Sequence, residues 1–64
     1  MSASATPVAL SDGAFFRRLI MACRVRGLGD GERPTLAGAK SLRSLGYSPE
    51  FIADLALDRK IANA

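Results

Sequence analysis

Tyr47-Ser48-Pro49-Glu50-Phe51-Ile52-Ala53-Asp54-Leu55-Ala56 carries the strongest helix-start signal in the chain. Ser48 supplies a hydroxyl that accepts a free backbone N–H of the first turn. Pro49 takes the first helical position, where its missing N–H costs nothing and its fixed φ already fits. Glu50 sets negative charge against the positive end of the helix dipole. Tyr47, before the cap, and Ile52 are spaced as a hydrophobic staple. Phe51, Ile52, Leu55 and Ala56 recur at helical spacing and form the expected buried face. Glu50, Asp54 and Asp58 line up at i, i+4, i+8 as an acidic stripe opposite it. Leu57 and Ile61 fall off that buried face, on the acidic side. Either the helix breaks near Asp58 or these two form an exposed apolar patch.

Upstream, the same logic gives two further helices. A short one is expected from Leu36 to Leu45, with Thr35 as its N-cap and Gly46 as its stop. Leu36, Ala39, Leu42 and Leu45 recur along it, and Gly38 leaves room for a neighbouring helix to approach. A longer one is expected from Asp12 to Arg26, capped by Ser11 and ended by Gly27. Phe15, Phe16, Leu19, Ile20 and Cys23 share its apolar face, with Arg17 and Arg24 opposite. Gly27, Gly29 and Gly31 mark the intervening stretch to Pro34 as a loop. Residues 1–10 are small and polar around Pro7 and read as a flexible tail. The expected fold is therefore all-α: a small three-helix array over residues 11–64, preceded by that tail.

Size and composition narrow the function. A 64-residue chain buries only about 60% of the surface its unfolded form exposes, so its core is thin. Small scaffolds are commonly reinforced by disulfides, a metal or association. Cys23 is the single cysteine and there is no histidine, so an internal disulfide and the usual zinc-ligand sets are excluded. Association with a partner, or with a second copy, is what remains. The longest apolar run, Leu19 to Cys23, falls far short of the ~20 residues a membrane span needs. The N-terminus lacks the basic start and apolar stretch of a secretory signal. A cytoplasmic location is expected.

Nothing in the pattern assembles a catalytic site. The commonest general base is missing, and Cys23 sits on an apolar face, where a thiol behaves as a small hydrophobe. Glu50, Asp54 and Asp58 read as a solvated helix face. The glycine loop lacks the preceding strand and the Gly-Lys-Ser/Thr of a phosphate cradle. No metal site, cofactor or small-molecule substrate is expected. The net charge is +3, and Arg17, Arg18, Arg24, Arg26, Arg33, Lys40 and Arg43 all precede the acidic third helix. That order suggests a basic side and an acidic side, and it permits phosphate contacts from Arg17, Arg18 and Arg24.

Leu42-Arg43-Ser44-Leu45-Gly46-Tyr47-Ser48-Pro49-Glu50-Phe51-Ile52-Ala53 resembles the opening of a helix-turn-helix, in which a capped helix carrying an Ile-Ala pair turns into a recognition helix. The glycine expected after Leu55 is absent. The resemblance implies a recognition helix from Leu57 to Ala64, with Arg59, Lys60 and Asn63 as its base readers. The Leu45-Gly46-Tyr47 step is also similar to the Met-Gly-Phe/Tyr loop of ubiquitin-associated domains, although a third helix after it is not evident. These readings give two expectations. The first is a non-catalytic regulatory or adaptor protein that binds a protein partner, or itself, through Leu57 and Ile61. The alternative is a helix-turn-helix-like DNA-binding regulator using Arg17, Arg18, Arg24, Arg59 and Lys60.

Overall fold

A computed structural model describes residues 10–64, which hold three helices and no strand: α1 (Asp12–Val25), α2 (Leu36–Ser44) and α3 (Pro49–Ala62). The all-α three-helix array is the fold. The expected tail lies outside the described residues except for Leu10, which is half-buried against the core.

All three helix starts follow the capping chemistry. Ser11 accepts from the Ala14 N–H at 3.1 Å, Thr35 from Gly38 at 3.2 Å, and Ser48 from Phe51 at 3.1 Å. Two of the ends follow it as well. Gly27 and Gly46 take φ of 78° and 94°, a region where a side chain is strained. At each, the glycine N–H and the next N–H reach back to the carbonyls of the last turn: Gly27 to Arg24, Leu28 to Cys23, Gly46 to Arg43, Tyr47 to Leu42. This double bond pattern brings the residue after the glycine onto the helix that has just ended. Leu28, expected to lie in a loop, is for that reason buried in the core. α1 and α2 each stop one residue earlier than expected, with Arg26 and Leu45 as C-caps.

The core collects Phe15, Leu19, Ala22 and Cys23 of α1, Leu28, Ala39 of α2, and Ile52, Ala53 and Ala56 of α3. Leu19, Ile52 and Cys23 are its largest fully enclosed side chains. α1 and α3 make the principal pair, and α2 touches each of them sparsely. Gly38 does not receive a neighbouring helix: a side chain there would meet Thr35 and Pro34, its own approach segment.

Of the two alternatives for α3, the break near Asp58 does not occur: the helix runs unbroken to Ala62. Its buried face is Pro49, Ile52, Ala53 and Ala56, not Phe51, Ile52, Leu55 and Ala56. At 100° per residue this is a rotation of roughly a quarter turn about the helix axis. Small side chains win the seam because they let α1 and α3 approach closely; Phe51 and Leu55 are left outside at 46% and 39% exposure. The same rotation brings Leu57 partly into the core, while Ile61 remains exposed. Tyr47 sets its ring beside Phe51, centroids 5.1 Å apart.

Replacing Leu19 by Ala should cost about 2–5 kcal/mol through lost burial and the cavity left behind. A core this small supplies only about 3–5 kcal/mol in total. Leu19→Ala should therefore be largely unfolded at room temperature, whereas Leu45→Ala, at an exposed cap, should stay within about 0.5 kcal/mol of the parent. Urea titrations followed by far-ultraviolet circular dichroism measure both; equal midpoints for the two variants contradict this account of the core.

Candidate protein-binding surface

The charged residues interlock rather than separate into two sides. Arg18 pairs with Glu50 at 3.2 Å and Arg26 with Asp54 at 2.7 Å, so the basic flank of α1 faces the acidic flank of α3. Glu50, Asp54 and Asp58 remain a solvated face, as expected, and the quarter-turn rotation sets its first two members beside arginines of α1. Arg26 also donates to the Ala22 carbonyl at 2.9 Å. Asp12 at the start of α1 receives Lys40 and Arg43 of α2, at 3.5 and 2.8 Å. Arg43 further donates to the Leu10 carbonyl and lies over the Phe15 ring. Lys60 near the end of α3 reaches Glu32 and the Gly27 carbonyl. Together these contacts tie the three helices to one another. The exposed ion pairs among them each contribute little by themselves.

Among the described residues, Arg17, Arg24 and Arg59 are the cations with no ion-pair partner, and Asp58 is the one such acid. Of the arginines and lysine expected to contact nucleic acid, Arg18 and Lys60 are thus committed to carboxylates. Arg17 and Arg24 stand on the outer side of α1. Arg59 lines a separate groove between α2 and α3. The recognition helix expected from Leu57 to Ala64 does not exist as a separate element, since α3 has no turn after Leu55.

Leu57 packs partly against the core, and Ile61, one turn further along α3, is exposed. Tyr47, Phe51 and Leu55 form a ridge along the outer face of α3, with successive members four residues apart. Leu55 is also part of the wall of the α2–α3 groove, a space of about 860 Å³ whose floor is Leu42, Ile52 and Ala56. A shallower hollow on α1, about 610 Å³, lies beside Met21 and Val25 and is crossed by Arg17 and Arg18. The two hollows share no residue. The sequence did contain the signal for the ridge, in that α3 is apolar on more than one side. It did not say which side the other helices would cover.

Cys23 is buried, and burial raises its thiol pKa above the ordinary value, with Arg26 and then Arg33 pulling the other way. No group of three or more His, Cys, Asp or Glu stands ready for a metal among the described residues. No helix among them is long and apolar enough to cross a membrane. No family model, curated protein or solved structure matches the chain.

Glu32 ties the loop to α3. It accepts the Gly29 N–H at 2.7 Å and the Lys60 ammonium at 3.2 Å, which in that order hold its carboxyl below the ordinary value of 4.5. A depressed folded-state pKa means stabilisation that is present above the unfolded value and lost as pH falls through the folded one. Glu32→Gln should therefore lower Tm at neutral pH, and the gap from the parent should close as pH drops through the carboxylate range. A Tm difference that is the same at both ends of that titration contradicts the assignment. For Cys23, iodoacetamide should react slowly with the folded chain and at the rate of a free thiol in urea. Mass spectrometry of timed samples reads both rates, and equal rates would show that the thiol is accessible.

Proposed function

We propose that the chain is a non-catalytic regulatory or adaptor module that grips a partner protein through the outer face of α3. The supporting observation is the exposed Phe51–Leu55 ridge, with the Tyr47 ring lying against Phe51. Clustered exposed apolar side chains on a small chain mark sites of association. Aromatic residues anchor such interfaces because they bury much area at little cost in side-chain freedom. The ridge offers anchors at helical spacing, which is what helix-against-helix recognition uses. The unpaired Cys23 suits a reducing, cytoplasmic setting.

Duplex DNA binding is the rival reading. It draws on Arg17 and Arg24, two exposed arginines on one side of α1 without carboxylate partners among the described residues. Against it, the flank of α3 offers Glu50, Asp54 and Asp58, which repel phosphate. Phosphate contacts from α1 would give affinity that falls steeply with salt.

One comparison separates the two. Tagged parent chain and the Phe51→Ser/Leu55→Ser double variant are used to capture partners from the native cell, each with and without nuclease. The variant should keep its helicity, since both side chains lie outside the core, and should lose the proteins captured by the parent. Undiminished capture by a folded double variant overturns the proposal. Capture that vanishes with nuclease, together with gel-shift binding abolished by Arg17→Ala/Arg24→Ala, establishes the rival instead.

A further inference from the structure

The α2–α3 groove has features beyond the ridge beside it. Along α3 it extends from Ile52 to Asn63, about 16 Å at 1.5 Å per residue, or three helical turns. Its floor is apolar: Leu42 from α2, with Ile52 and Ala56 from α3. The groove exists because α2 leans on its neighbours only sparsely and leaves a gap where a fourth helix would complete a bundle.

The rim of the groove is predominantly cationic. Arg33, Arg59 and Lys60 line it against the single carboxylate of Glu32, which Lys60 already occupies. Arg59 has no ion-pair partner among the described residues. Arg33 reaches Asp30 at 3.6 Å and lies over the Phe16 ring, yet its Nε is buried without a hydrogen-bond partner. An apolar floor about one turn long, continued by a rim on which Arg59 is the unpaired cation, is complementary to a short amphipathic helix with acids flanking its apolar stripe. A basic helix would meet Arg59 and Arg33 as like charges. DNA would find no use for the floor.

We infer that the α2–α3 groove takes an acidic amphipathic helix from a partner protein, an assignment that rests on the binding-module reading above and names the partner's chemistry. Arg59 selects that helix by charge, and Leu42 with Leu55 hold its apolar stripe.

The test uses the whole chain and two synthetic helical peptides. They share one leucine stripe and differ only in flanking residues, glutamate in one and lysine in the other. Binding is followed by fluorescence anisotropy, and amide chemical shifts locate the site. The acidic peptide should bind about tenfold more tightly than the basic one at low salt, with shifts centred on Leu42, Leu55 and Arg59. The preference should shrink as salt is added. Arg59→Glu should cut it to about threefold or less with only a small fall in the thermal melt, since Arg59 is exposed and unpaired but lies in the last turn of α3. Equal binding of both peptides in the groove overturns the acidic assignment and leaves the module reading standing. Binding of neither, or shifts confined to Met21 and Val25 on α1, overturns the groove itself. If sedimentation shows a dimer that Arg59→Glu dissociates, the occupant is a second copy and the inference fails. Undiminished capture by a folded Tyr47→Ser/Phe51→Ser chain, whose groove lining is intact, by contrast defeats the ridge reading beneath it.

Discussion

Ala22, Cys23, Ala53 and Ala56 line the buried meeting of α1 and α3, around Leu19 and Ile52. Helices whose facing side chains are this small can come close, and close approach lets a chain with few large core residues still exclude water. That requirement sets the rotation of α3 about its axis. Once α3 presents Ala53 and Ala56 to α1, Phe51 and Leu55 must point away, Leu57 must turn inward, and Glu50 with Asp54 must come alongside Arg18 and Arg26. The surface that remains for function is a consequence of how the seam packs.

The ion pairs follow the seam rather than cause it. Exposed pairs of this kind are individually worth well under about 1 kcal/mol. They act more as registration than as cement. Arg18–Glu50 and Arg26–Asp54 match one rotation of α3 and would be lost in the alternative rotation that buries Phe51 and Leu55. In that alternative, four charges would lose their partners and larger side chains would force the helices apart. Packing and charge thus agree on one arrangement, which is what a small core needs in order to select a single state.

This separates what could be read in the sequence from what could not. Helix starts and stops are local: a Ser or Thr hydroxyl and its N–H lie three residues apart, and Gly27 and Gly46 act within their own turn. All three caps and both glycine stops were legible for that reason, and so was the three-helix fold. The buried face of α3 was not, because it depends on α1. Hydropathy ranks Phe51 and Leu55 above Ala53, but hydropathy carries no information about how closely the opposing helix must approach. Whether Leu57 turns inward depends on that same approach and so is not a local property of the sequence. Leu28 was missed through a different route. It follows a glycine stop, where the backbone bonds of the cap fold the next residue onto the core.

α2 is the element that the seam does not govern. Its one fully buried residue is Ala39, and Leu42 is only partly covered. Elements with few buried contacts sit at the low end of local stability and open more readily than the core that carries them. Such an element can adjust the width of the groove it borders without disturbing α1 and α3. That adaptability has a thermodynamic cost, because any partner that fixes α2 must offset the freedom it removes. It also has a consequence for the free chain. A ligand that binds only the folded form stabilises that form in proportion to the logarithm of its concentration over Kd. For a chain whose core is barely sufficient, occupation of the surface beside α2 and stability of the fold are then two aspects of one equilibrium.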